Sequence, residues 1–116
     1  MDSFMGALNS ALMRDRRWRP HPDQRVGGTN KIATYLNGRG DPVAIDLSSG
    51  GENAIWTLAR LAPDTLLPEI RREPYVPEKG RNSNLSVSQL KGKALVCLFP
   101  ASLPQARLLV DQLAGA

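Results

Sequence analysis

The chain predicts a small α/β fold, with α+β as the neighbouring alternative: a small mixed sheet carrying an N-terminal amphipathic helix, a β-hairpin and two strand-turn-helix units. Three observations lead there. Residues 4–12 repeat apolar side chains at helical spacing, and residues 32–36 and 43–47 alternate around a turn-forming stretch. Ala94 to Phe99 is an unbroken apolar run, stopped by Pro100 and followed by a second helical pattern.

In the N-terminal helix, Phe4, Leu8, Ala11 and Leu12 fall on one stripe with Met5 beside it, and Asp2 or Ser3 can cap the start. Arg14, Asp15, Arg16 and Arg17 continue the pattern, which brings Trp18 near the same stripe, and Pro20 and Pro22 end it. The Pro-x-Pro break divides an arm, residues 1–22, from a core expected over residues 30–116. The plain reading of the stripe is a terminal helix packed on its own core. The sharper one is a helix offered to a partner's groove, anchored by Phe4, Leu8, Leu12 and Trp18.

The run KIATYLNGRGDPVAIDLSS can be read as a helix capped by Asn30 and closed by Gly38, or as a hairpin. Ile32, Thr34 and Tyr35 favour strand, Val43 to Leu47 alternates, and the stretch between them holds Asn37-Gly38 and Asp41-Pro42. The hairpin is the preferred reading. Next, Ser49 and Glu52 have capping-box spacing ahead of Ile55, Leu58, Ala59 and Ala62, which predicts a helix stopped by Pro63. The turn before it, Ser48, Ser49, Gly50 and Gly51, could present backbone N–H groups to an anion. No nucleotide-binding glycine motif supports that, and two glycines relaxing a tight turn account for it as well.

Residues 63–84 hold four prolines and no sustained period, which predicts a long surface loop of mixed charge with Tyr75 as an exposed aromatic contact. The chain closes with the apolar strand and then a helix. Ser102 caps that helix, Pro104 sits in its first turn, Leu108, Val110 or Leu109, and Gln112-Leu113 carry its apolar side, and Gly115 ends it. The stretch FPASLPQARLL, residues 99–109, resembles the F-P-R-T-x-x-Q-A-x-x-L segment of adenylate kinases, which also follows a strand and opens a helix. Ala101 stands where that family has its arginine and Leu98 where it has the preceding glycine. The resemblance therefore implies a strand-turn-helix geometry and not phosphoryl transfer.

Composition narrows the function. Hydrophobic residues make up 41% and charged residues 22%, ordinary values for a soluble globular chain. No apolar run approaches the ~20 residues of a membrane span, and MDSFMGALNSALM lacks the basic start of a signal peptide. No membrane association is expected, and a cytoplasmic location is. With Cys97 alone there is no internal disulfide. One cysteine and one histidine supply neither a zinc site nor a convincing nucleophile–base pair, so no metal, no cofactor and no catalytic residue is expected. Cys97 reads as a small buried hydrophobe rather than as the partner of His21.

Charge is concentrated in RDRRWRPHPDQR, where Arg14, Arg16, Arg17, Arg19 and Arg25 face only Asp15 and Asp23. Five positive charges less two negative leave +3 of the chain's +4. Three function classes follow. The first is a non-enzymatic binding protein (an inhibitor, adaptor or assembly subunit) that meets an acidic protein face through the N-terminal helix and the Arg/Trp strip, with Tyr75 as a further contact. The same helix could join two copies of the chain. The second is a non-sequence-specific nucleic-acid binder whose arginines neutralise phosphates while Trp18 stacks on a base. The third is a small enzyme with an anion site at Ser48 to Gly51. The first is preferred. The chain's size is also that of accessory proteins carried by phages and mobile elements, an association rather than a physical argument.

Overall fold

Six antiparallel strands carry two helices on one face in the computed structural model, which describes residues 4–22, 32–47, 53–75, 90 and 93–115. The elements run α1 (Met5–Arg14), β1 (Arg19–Pro20), β2 (Ile32–Leu36), β3 (Pro42–Asp46), β4 (Ile55–Leu58), a 3-10 turn (Ala59–Leu61), β5 (Arg71–Tyr75), β6 (Leu95–Phe99) and α2 (Leu103–Gly115). Strand order across the sheet is β1-β2-β3-β4-β6-β5, and every neighbouring pair is antiparallel. This is a small mixed α/β fold, with its helices gathered on one side as in α+β architectures.

The hairpin forms in register from Ile32 opposite Asp46 to Leu36 opposite Pro42, which excludes the helical reading of that run. Asn37 organises its turn. The Asn37 N–H donates to the Asp41 carbonyl at 3.0 Å, and Asn37 Oδ1 accepts the N–H groups of Arg39 and Asp41 at 2.9 and 3.0 Å. Gly40 takes φ +82°, a left-handed conformation that glycine adopts without a Cβ penalty. Asn37 Nδ2 also donates to the Leu113 carbonyl at 3.0 Å, fastening the turn to the end of α2.

Alternation along the strands divides the interior in two. One face turns Tyr35, Val43, Ile45, Ile55, Val96 and Leu98 toward Met5, Leu8 and Leu12 of α1 and Ala106, Leu109, Val110 and Leu113 of α2. The other gathers Ile32, Ala44, Trp56, Leu58, Leu95 and Cys97 with Leu90. β6 is thus an inner strand with buried residues on both faces, as its apolar run predicts. The strand-turn-helix unit β6–α2 also forms, with one correction: Leu108, expected to face inward, is 43% exposed, and Ala106, Leu109, Val110 and Leu113 are the buried side of the helix. Gln105 N–H donates to Ser102 Oγ at 3.3 Å, and Gln105 Oε1 accepts the Ala101 N–H at 2.7 Å, a near relative of the capping box.

Four further expectations are corrected. The helix expected over Ile55–Ala62 is instead strand β4 and a 3-10 turn. All four residues of β4 are buried, and an apolar run buried on both faces fits either period, so the β-branched and aromatic character of Ile55-Trp56-Thr57 decides. Residues 71–75, expected within a loop, form edge strand β5 despite Pro74. Proline is tolerated on an edge, where an N–H need not serve the sheet. The first helix stops at Arg14 rather than running to Arg17, because Asp15 turns extended and its carboxylate accepts the Arg17 N–H at 2.9 Å. Finally, residues 4–22 do not stand apart from the core: α1 shares the main hydrophobic cluster, and Arg19–Pro20 pairs with Tyr35–Leu36 as β1.

Candidate functional site

The Arg/Trp strip is only partly a surface. Trp18 is 5% exposed and Leu8 and Leu12 are at most 1% exposed, all three inside the main core, while Phe4 is half-buried against it. This corrects their reading as anchors for a partner: the apolar stripe of α1 is spent on the protein's own sheet. It also leaves Trp18 no face for stacking on a base. Tyr75 is half-buried at the opposite edge, its ring edge-on to Trp56 with centroids 6.0 Å apart. Arg25 and the Ser48, Ser49, Gly50, Gly51 turn lie outside the described residues.

The arginines of the strip divide into tied and untied. Arg17 grips Asp15 through Nε–Oδ1 at 3.0 Å and Nη2–Oδ2 at 2.7 Å, and its Nη2 also reaches Asp111 Oδ1 on α2 at 2.6 Å. The Arg17 hydrogen bonds hold the Asp15 carboxyl below the usual aspartate range, and both carboxylates raise the Arg17 guanidinium further. Arg19 Nη1 donates to the Asn37 carbonyl at 3.1 Å. Arg14 and Arg16 are exposed and have no hydrogen-bond or ion-pair partner among the described residues.

Packing α1 against α2 brings another such cation, Arg107, into one groove with Arg14. A groove of about 480 Å³ between the helices is lined by Ala7, Ala11 and Arg14 from α1, by Asp15 just after it, and by Leu103 and Arg107 from α2. Ala7, Ala11 and Arg14 follow one another at i, i+4 and i+7, so they share a face, as do Leu103 and Arg107 at i, i+4. The small alanines leave the floor open to a close-packed chain. Arg107 is exposed and likewise lacks a partner among the described residues. Sequence reasoning missed Arg107 and Ala7, and put Ala11 on the inward stripe rather than in a groove, since only the packing of the two helices makes them neighbours.

This arrangement can bind an anion. His21 lies just beyond β1 and Cys97 in β6, four strand positions away, about 19 Å at the usual strand spacing. Among the described residues no group of three or more His, Cys, Asp or Glu is placed to hold a metal ion, and no helix is long and apolar enough to cross a membrane. Protein-family models, characterised proteins and solved structures provide no match to this chain.

Proposed function

We propose that the protein is a non-enzymatic binding protein, an inhibitor, adaptor or assembly subunit, that docks on an acidic segment of a protein partner through the α1/α2 groove. The observation that carries this reading is the pairing of an apolar floor, Ala7, Ala11 and Leu103, with two cations, Arg14 and Arg107, that the described residues leave unneutralised. Arginine forks suit carboxylates in bidentate geometry, and a groove of this shape accepts an amphipathic segment. Arg16, on the turn after α1, is also exposed. The burial of Trp18 weighs against the nucleic-acid alternative.

Capture from the native cell, with the wild-type chain and an Arg14→Glu/Arg107→Glu variant, each with and without nuclease, tests it. The expected result is a protein retained by the wild type after nuclease treatment and lost from the variant. Loss of the captured protein on nuclease treatment, or equal capture by the folded variant, overturns the reading.

A further inference from the structure

The β2–β3 turn buries an asparagine directly before a glycine. Asn37 is 1% exposed, whereas Gly38 is exposed. Asparagine is a chemically labile side chain. Its lability is greatest before glycine, where no Cβ hinders attack of the following backbone nitrogen on the carboxamide carbon. Nothing hinders that attack here either. A side chain placed on Gly38 would meet no atom within 4 Å, and the Gly38 N–H has no hydrogen-bond partner among the described residues.

The carboxamide is also polarised. Asn37 Oδ1 accepts the N–H groups of Arg39 and Asp41 at 2.9 and 3.0 Å, two donors on the oxygen where negative charge develops as the nitrogen attacks. What holds the reaction back is the leaving group. Asn37 Nδ2 donates to the Leu113 carbonyl at 3.0 Å in the buried contact between the turn and α2, and Leu113 is itself 2% exposed. Departure of Nδ2 breaks that bond, and the water that completes the reaction has to enter a site closed to solvent. Both steps need the last turn of α2 to lift.

We propose that Asn37 is a deamidation site gated by the last turn of α2, and that its reaction releases that turn for good. When the turn lifts, the Gly38 nitrogen bonds to Asn37 Cγ and loses its proton, while the Cγ–Nδ2 bond breaks and Nδ2 leaves with that proton as ammonia. Water then adds to the cyclic imide and breaks one of its two C–N bonds, which leaves aspartate or isoaspartate at position 37. Neither side chain has an N–H to offer the Leu113 carbonyl. Burying the new carboxylate against a carbonyl oxygen is unfavourable, so the turn and α2 do not refasten.

The test incubates the full-length protein in mildly alkaline buffer over a urea series that spans its unfolding. The peptide holding Asn37 is followed by mass spectrometry for conversion of amide to acid, with ammonia release measured alongside. The reaction should run at least about tenfold slower in the folded than in the unfolded chain, the worth of one buried hydrogen bond. Its rate should already climb in urea too dilute to unfold the protein, the mark of a local opening. Leu113→Ala, which loosens the end of α2, should react faster than wild type without urea; the urea series on wild type decides the matter if that variant does not fold. Asn37→Asp, the product, should speed amide hydrogen exchange in the last turn of α2 by about tenfold or more and leave β6 unchanged. Reaction in the folded chain as fast as in the unfolded one, or none in either, overturns the proposal. So does a rate that rises only with global unfolding, a folded Leu113→Ala that reacts no faster than wild type, or an Asn37→Asp chain whose α2 exchanges as in wild type or whose whole fold is lost.

Discussion

The two edges of the sheet are both arginine-rich and use that charge in opposite ways. At the β1 edge, Arg17 is neutralised by two carboxylates, Asp15 and Asp111, while Arg14 and Arg16 face outward with no partner among the described residues. At the β5 edge, Arg72 meets no carboxylate among the described residues. Its Nε donates to the Ile70 carbonyl, Nη1 to those of Ala62 and Pro63, and Nη2 to those of Leu66 and Leu67, at 2.6–3.4 Å. Every donor of the guanidinium is used. The turn it gathers includes Leu67 at φ +48°, a strained conformation for a non-glycine residue, and Arg72 bonds that residue's own carbonyl at 2.6 Å. An arginine in sequence thus announces charge, but the acceptors folded around it decide whether it recognises a partner or staples a loop. Both edges also carry a proline, Pro20 and Pro74, which with the charged side chains discourages pairing with another sheet.

The largest effect that would break this comparison lies at Trp18, the apolar residue inside the basic edge. Because it is 5% exposed in the main core, Trp18→Ala should cost about 3–5 kcal/mol of unfolding free energy in a urea titration. A stability change near zero with lost binding would return Trp18 to the role of an exposed anchor. At the other edge, Arg72→Ala should cost about 2 kcal/mol, and Arg72→Lys nearly as much, since one ammonium cannot span the same carbonyls. Rescue by lysine would show that the charge alone matters there.

Those contrasts explain how far the sequence could be read. The β2–β3 hairpin and the β6–α2 unit were legible because their signals are local: alternation around Asn37-Gly38, and an apolar run followed by Ser102, Pro104 and Gln105. β4 was misread because Ile55 to Ala62 satisfies a helical stripe and a doubly buried strand equally well. β5 was missed because Arg71-Arg72-Glu73-Pro74-Tyr75 has no strand pattern of its own and becomes a strand by pairing with β6. The basic strip was visible as a strip. Which of its members stay available was not, because Asp111, the Asn37 carbonyl and Arg107 come from 18 to 94 residues away or from the packing of two helices.

The smallest effect separates Arg17 from Arg72 most cleanly, because only Arg17 is bonded to carboxylates. The hydrogen bonds from Arg17 hold the Asp15 pKa below its ordinary value, which is about 3.9 in an unfolded chain. A carboxylate whose folded pKa is depressed contributes its stabilisation in full above the unfolded value and loses it as pH falls through the folded one. The Asp15–Arg17 contact should therefore stabilise the protein at neutral pH and fade below about pH 4. Arg17 is half exposed, so solvent screening keeps the effect under about 1 kcal/mol. Asp15→Asn should lower the urea midpoint slightly at pH 7, and the difference from wild type should shrink toward zero at pH 2. Arg72 bonds carbonyls, which do not titrate in this range, so the deficit of Arg72→Ala should stay constant over the same interval. Equal pH dependence of the two deficits would show that both arginines act through carboxylates, and the distinction between Arg17 and Arg72 would fail.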